Sequence, residues 1–505
     1  MKMKVALKGL ILTVAAVTLT ACSGGVVPEP DKSPEAIPAE YQPFYSQTLE
    51  WTDCHDGMQC ATAVAPLDWN EPAGETIELA LVRHSATSSK KLGSLFVNPG
   101  GPGASGVSFI ADSLDYAVSG AVQKNYDVIG FDPRGVGAST PVVCVDSAAE
   151  MDEFLSGATD TVRASPEWFA ERERASAEFA QGCLERTGDL LAHVDTVSAA
   201  HDLDMLRATV GDRELNYLGY SYGTLLGAVY AENFPGNVGR LVLDGALDPA
   251  SSSFEVNLNQ SIGFEKALRA YLADCIETEG CPFSGSVDEA MTQVGDLLAQ
   301  LDESPLYASD GRVLGADAML TAIIAPLYNP DAWSFLTDVF SAVADGDAQP
   351  AYSSVDWYYS RGDDGEYLDN STEAFLAINC LDYPVTKDPE QWEKEAQELA
   401  RKAPVIGPYM AYGDELCSKW AYPAVMTPHK ILAQGAGDIL VIGTTGDPAT
   451  PYRWAKALAA QLEGGHLISY TGEGHTAYNK SNSCVNDAVD GFLLRGKVPA
   501  QDPKC

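Results

Sequence analysis

The sequence predicts an α/β protein built on a mainly parallel sheet with helices on both faces, carrying an inserted, mostly helical cap. Three observations lead there. Short apolar runs recur along the chain, and helix-length segments separate them where antiparallel neighbours would need only tight turns. At 505 residues with 46% hydrophobic side chains, the chain exceeds one average domain and can bury a large core. The strand-like rhythm breaks once, over a long stretch, and then resumes.

Taken in order, Lys2, Lys4 and Lys8 form a basic start, Gly9 to Ala21 is apolar, and Leu19-Thr20-Ala21-Cys22 closes the segment. The apolar part is too short for a comfortable membrane span and ends on small residues, so residues 1–21 are expected to be an export signal. The ending resembles a bacterial lipobox. It implies that Cys22 becomes a lipidated first residue, holding the protein at the extracellular face of the cell membrane through the outer leaflet of the cytoplasmic membrane; an ordinary signal peptide cut nearby is the alternative. Residues 22–45, rich in Pro, Glu, Ala and Ser, then read as a flexible tether.

The first part of the folded body is expected over residues 46–251. Residues 76–83 alternate like a half-buried strand, while 94–98, 126–131, 215–218 and 240–243 are short apolar strands. Residues 197–210 read as a helix feeding the 215–218 strand. Over 252–429 helical patterns dominate, such as 264–275 and 287–301, with aromatic connections such as Trp357-Tyr358-Tyr359 that suit packing. This is the expected cap. Strands return at 439–443 and 467–470, within a C-terminal part of the body at 430–505.

The formal net charge of -39 argues against nucleic acid and anionic membrane surfaces as partners. Setting Cys22 aside, ten of the eleven cysteines remain, an even number in a chain expected to leave the cytoplasm, so five disulfides are predicted. Proximity favours Cys54 with Cys60 and Cys275 with Cys281. Chain order suggests Cys144 with Cys183, Cys380 with Cys417, and Cys484 with Cys505. No C-x-x-C pair or His-x-x-x-His cluster occurs, so no metal is expected, and no cofactor either.

Chemistry concentrates at Gly219-Tyr220-Ser221-Tyr222-Gly223, which follows an apolar run and precedes a helical one. A bare G-x-S-x-G is a weak signal, but between strand and helix it describes a nucleophile elbow, a sharp turn that holds a serine clear of the sheet. A serine hydroxyl needs a base, and the base needs a carboxylate to fix its tautomer. In the α/β-hydrolase fold the order is Ser, acid, His, with both partners on loops after later strands. Asp447 follows the 439–443 strand and His475 follows the 467–470 strand, whereas Asp438 and His466 stand at the opposite ends of those strands. The other histidines, 55, 84, 193, 201 and 429, precede the elbow or fall outside a strand-end loop. Oxyanion donors are expected from the Tyr222 amide and from the loop Asn98-Pro99-Gly100-Gly101-Pro102-Gly103-Ala104-Ser105-Gly106. Part of that loop also fits the dinucleotide pattern G-x-G-x-x-G. Export, the amide missing at Pro102 and the complete Ser, Asp, His set argue against that reading.

These segments, with Cys60-Ala61-Thr62, Pro66-Leu67-Asp68-Trp69, Asp132-Pro133-Arg134-Gly135-Val136-Gly137, Ala377-Ile378-Asn379-Cys380 and the TTGDPATP and GEGH stretches, resemble the exported tripeptidyl aminopeptidases. These belong to the α/β-hydrolase peptidase family that also holds the proline iminopeptidases. The resemblance runs over nearly the whole expected mature chain. It implies a triad of Ser221, Asp447 and His475, oxyanion amides from Gly101 and Tyr222, and the amino end of a short peptide as substrate. Asn98-Pro99 stands where proline iminopeptidases carry His, so a strict proline specificity is not carried over. An aminopeptidase must hold a free ammonium with a partly buried carboxylate, and Glu373 and Asp382, flanking the Ala377–Cys380 motif, are the candidates. Thr450 is positioned to brace the acid loop. The expected activity is release of di- or tripeptides through an acyl-enzyme on Ser221. A carboxylesterase or lipase using the same triad and a non-catalytic surface binding lipoprotein are the alternatives.

Overall fold

The computed structural model of the protein describes residues 37–156 and 161–505, so the expected leader, Cys22 and most of the expected tether lie outside the described residues. The strands along them are β1 (Thr52–Cys54), β2 (Met58–Pro66), β3 (Thr76–His84), β4 (Ser94–Asn98), β5 (Asp127–Phe131), β6 (Leu215–Tyr220), β7 (Val238–Asp244), β8 (Leu306–Tyr307), β9 (Val313–Leu314), β10 (Ile439–Gly446) and β11 (Gly465–Glu473). All but β8 and β9 join one sheet in the order β1-β2-β3-β5-β4-β6-β7-β10-β11. The first three pair antiparallel, β3 meets β5 antiparallel, and every pairing from β5 onward is parallel. This is the α/β-hydrolase architecture.

Burial explains which strands the sequence announced. Every residue of β4 and β5 is buried, as an unbroken apolar run under helices on both faces requires, and β3 alternates through its first half. The β1–β2 ribbon was not anticipated. Its second strand, MQCATAVAP, spends alanines on the buried side and carries little β-propensity; the sheet edge and the Cys54–Cys60 bridge hold it in place.

After β4 the chain adds β5 on one side and later β6 on the other, which makes the carboxyl end of β4 a topological switch point, where ligands gather in open α/β sheets. Register keeps the neighbouring loops abreast. Tyr220 pairs with Asp244 and Asp244 with Ile442, so the loops after β6, β7 and β10 leave the sheet side by side.

Between β7 and β10 the chain is mainly helical, beginning with Ser253–Ile276 and Val287–Glu303, each opened by a capping box, from Ser252 with Glu255 and from Ser286 with Glu289. Leu268, Leu272, Val294, Leu298, Ile323, Val339 and Phe340 form a second core there, separate from the cores of the sheet. Helix Ser371–Asp382 is an exception, because its buried Ala374, Ala377, Ile378, Cys380 and Leu381 pack into the main core. The five disulfides join Cys54–Cys60, Cys144–Cys183, Cys275–Cys281, Cys380–Cys417 and Cys484–Cys505, each pair as proximity and chain order suggested.

At the amino end, the tether expected to run to residue 45 gives way sooner. Tyr41, Phe44 and Tyr45 close around the Trp69 ring, and the Tyr41 hydroxyl donates to Trp69 O at 2.9 Å. Beneath them, the fully buried Arg134 makes two bonds of 2.7 Å to Asp202, which also accepts from Trp69 Nε1 at 3.0 Å. Two of the motifs that carry the family resemblance, at 66–69 and 132–137, therefore meet at one buried ion pair. No described helix is long and apolar enough to cross a membrane.

Candidate active site

Strand β6 runs into helix Tyr222–Asn233 with Ser221 between them, at φ 54° and ψ -122°. A serine is held in that left-handed region only against the steric preference of its Cβ, and the surroundings supply the restraint. Ser221 N donates to Asp244 O at 2.9 Å, while its carbonyl accepts from Thr224 N at 2.9 Å and Thr224 Oγ1 at 2.6 Å. The glycine loop after β4 lies directly on this turn. A Cβ on Gly100 would stand 2.6 Å from Tyr220 O and 2.8 Å from Ser221 Cβ, and φ there is +102°, so only glycine fits.

His475 and Asp447 come from the loops after β11 and β10. His475 Nδ1 lies 2.9 Å and 3.0 Å from the two carboxylate oxygens of Asp447, whose side chain is fully buried. Asp447 is saturated by further donors: Ala449 N at 3.0 Å, Thr450 N at 2.8 Å, Thr450 Oγ1 at 3.0 Å and Thr476 N at 3.2 Å. A carboxylate so held cannot swing away, and it fixes the ring with Nε2 on the opposite side. The loop after β7 brings this pair to the serine. Asp244, whose carbonyl receives Ser221 N, accepts with its carboxylate from Ala477 N and Tyr478 N, and the position of a Cβ on Gly245 is 3.1 Å from His475 Cε1. Burial pushes the Asp244 carboxyl up, and the amide bonds and Lys480 pull against it. No hydrogen bond joins Ser221 Oγ to the imidazole among the described residues; such bonds commonly tighten only when substrate is bound.

The loop carrying Gly101 is pinned by Asp132, which accepts from Ser105 Oγ at 2.6 Å, Val107 N at 3.0 Å and Ala138 N at 2.8 Å. Burial raises the Asp132 carboxyl, with the Ser105 bond the first of those opposing it. Tyr222 N–H opens the elbow helix and has no partner one turn back. Gly101 N–H donates to no described residue, and the glycine is exposed. A half-buried hydroxyl, an imidazole held by a buried acid, and two unengaged amides on abutting turns can together run base-assisted acyl transfer.

The structure corrects the amine-binding candidates. The Glu373 Oε1 accepts from Cys144 N at 2.6 Å and Val145 N at 3.3 Å, and the residue is buried; burial raises its carboxyl. Asp382 is buried too, accepting from Thr196 N at 2.9 Å and Thr196 Oγ1 at 2.5 Å. Asp382 has both oxygens engaged inside the body and Glu373 has Oε1 engaged there, so both acids serve buried backbone and hydroxyl donors, an arrangement that does not favour either as the ammonium site. Thr450 does brace the acid loop, and it also lies 3.3 Å from His475 Nδ1. His466 and Asp438 pair with each other at 2.7 Å, at the amino ends of β11 and β10.

Three participants escaped the sequence. Asp244 was hidden inside an apolar strand, Asp132 inside a loop motif, and Tyr328 inside the insert, where nothing marks it. Tyr328 O accepts from His475 N at 2.8 Å, and its ring stands edge-on to the imidazole at 5.4 Å. Beyond it the Tyr358 ring, 40% exposed, stands 6.3 Å from that of Tyr328, so the 357–359 stretch packs towards the site as well as within the insert. Among the described residues Cys54, His55 and Cys60 come close enough to share a metal, but both sulfurs are spent in a disulfide.

Fold and site define a serine hydrolase of the α/β-hydrolase superfamily. A family model described as "TAP-like protein" matches residues 403–505. Serine protease Hip1 of Mycobacterium tuberculosis is 36% identical over 488 residues, covering 92% of this chain and 92% of its own. Carboxylesterase B of the same organism is 36% identical over 481 residues, covering 92% and 91%. Tripeptidyl aminopeptidase of Streptomyces lividans is 31% identical over 470 residues, covering 90% and 86%. The chain belongs to the TAP-like family of α/β-hydrolases that these relatives represent.

Proposed function

We propose that this protein is a serine exopeptidase that acylates Ser221 and releases short peptides, tripeptides among them, from the free amino end of oligopeptides. The observation that carries the catalytic part is the imidazole of His475, bonded through Nδ1 to both oxygens of a buried Asp447 on loops beside a left-handed Ser221. Ser221 Oγ attacks the scissile carbonyl carbon while His475 Nε2 takes its proton, and Asp447 stabilises the imidazolium. The carbonyl oxygen becomes an oxyanion received by the amides of Gly101 and Tyr222. As the C–N bond breaks, Nε2 returns the proton to the leaving amine. Water then attacks the acyl-enzyme with the same base, and the released acid is the short peptide.

The peptidase half of the reading is supported by relatives named serine protease and tripeptidyl aminopeptidase. A relative named carboxylesterase, as similar as the protease, favours the esterase reading. One comparison separates the two: hydrolysis of a tripeptide anilide against its amino-acetylated twin. The free amine should react at least about a hundredfold faster, the scale expected where a buried charge must be matched; equal rates would remove amine recognition. Ser221→Ala should abolish labelling by an active-site fluorophosphonate, and labelling that persists would leave the fold as a binding scaffold. We also propose that the chain is exported and anchored through a lipid on Cys22, consistent with the Leu-Thr-Ala-Cys ending. Cys22→Ser should move fluorophosphonate-reactive protein from the membrane fraction to the soluble one.

A further inference from the structure

Helix Ser371–Asp382 touches the surroundings of both candidate oxyanion donors. Near its start, a Cβ on Gly103 would lie 2.4 Å from Ser371 O and 2.8 Å from Phe375 N, at φ +93°. The helix backbone therefore rests on the loop that carries Gly101, at a distance no side chain permits. At its last residue, Asp382 accepts from Thr196 N and Thr196 Oγ1, and the Thr196 hydroxyl also bonds the Tyr222 hydroxyl. The Thr196 O–H donates to Asp382, and with its one proton so engaged its oxygen accepts from the Tyr222 O–H. All three residues are buried, which makes the run a dry, directional chain ending on the residue that follows Ser221.

The helix is itself immobilised at several points. Asn370, just before it, accepts from Gly137 N at 2.8 Å and donates to Gly135 O and Val142 O, both at 2.9 Å. Glu373 holds the amides of Cys144 and Val145, and Cys380 is bridged to Cys417. One rigid element thus bears on the glycine loop at one end and on the Tyr222 ring at the other.

We infer that helix Ser371–Asp382 is the strut that sets the separation of the two oxyanion amides, and that Asp382 is a positioning residue for Tyr222, acting through Thr196. This rests on the serine-hydrolase reading above. Oxyanion donors are useful only within a few tenths of an ångström of where the negative oxygen forms, and they bind it more strongly than the ground-state carbonyl. Loosening the chain should therefore cost turnover and leave substrate affinity alone.

The test uses the full chain with Tyr222→Phe, Thr196→Val and Asp382→Asn, assayed on a substrate that the wild type turns over. The expected result is a fall in kcat of about 5- to 30-fold, part of the 10²–10³ measured for deleting a whole donor, with KM within about twofold. Fluorophosphonate labelling should slow in parallel. The double variant Tyr222→Phe/Asp382→Asn should be no worse than the weaker single, because both break one chain. Tyr222→Phe deletes one oxygen and keeps the ring, so it decides the matter even where Asp382→Asn does not fold. Wild-type kcat in Tyr222→Phe, additive losses in the double variant, or kcat and KM falling and rising together would overturn the strut. Failure of the underlying reading has its own signature, full turnover in Ser221→Ala.

Discussion

At the residue scale, the site depends on how completely Asp447 is tied down. Its oxygens face His475 Nδ1 and the donors of Ala449, Thr450 and Thr476, so the carboxylate selects one tautomer of the imidazole. Asp447→Asn keeps the volume but presents an N–H where the ring must donate. A drop in kcat of about 10⁴ is expected, as for the equivalent change in other Ser-His-Asp enzymes, with KM little altered; a loss below tenfold would remove Asp447 from the triad. Thr450→Val deletes one of these donors and the 3.3 Å neighbour of Nδ1, and should lower kcat by about tenfold, the cost of one hydrogen bond to a charged group. Melting temperature measured alongside kcat separates that effect from simple destabilisation. The Asp447–His475 pair and the turn at Ser221 were legible because strand-end position sorts His475 from His466 and Asp447 from Asp438, and a strand-to-helix setting marks the serine. Glu373 and Asp382 were misread because a sequence shows that an acid stands beside a motif, not which buried amide it faces.

At the element scale, the strands β4, β5, β6, β7 and β10 were legible because burial on both faces leaves an apolar run, and β11, at the sheet edge and only partly buried, was legible from its short apolar centre. β4 has the expected ends and β5 starts one residue later than expected, whereas β6, β7, β10 and β11 extend by one to several residues, as β6 through Tyr220 and β11 through Glu473 illustrate, since ladder hydrogen bonds continue past the apolar stretch. β2 was invisible because alanines, which carry little β-propensity, line its buried face. Helix Ser371–Asp382 was readable only as part of an insert, whereas its apolar face belongs to the sheet's core. That dual allegiance makes its bridge important. Cys380–Cys417 closes 37 residues of chain, so the unfolded state regains about 3–4 kcal/mol of entropy on the loop-closure model when the bridge is removed. Cys380→Ser with Cys417→Ser should lower the denaturant midpoint accordingly and reduce kcat more than KM. Unchanged kinetics in the folded double variant would separate the bridge from the site.

At the scale of the whole molecule, acidity is managed by burial as well as by solvent. The formal charge of -39 leaves most carboxylates at the surface, but Asp132, Asp244, Glu265, Glu373 and Asp382 are taken into the body, and burial is the first cause raising each of them. Asp382 is pushed up to about 7. An acid raised in the folded state binds its proton more tightly there than in the unfolded chain, so its contribution to stability is complete below the unfolded value near 4 and is lost as pH climbs through the folded one. Asp382 alone would remove about 4 kcal/mol over that window, at ~1.4 kcal/mol per pH unit. Self-repulsion among the surface acids acts in the same direction. His201, lowered by its own burial, acts in the opposite direction but as a single group. The melting temperature should therefore fall between pH 5 and pH 8 at fixed ionic strength, and Asp382→Asn should flatten that slope whatever it does to absolute stability. A melting temperature that rises across the interval, or a slope unaltered in the variant, would mean that the unfolded chain is as reluctant as the folded one to ionise these groups.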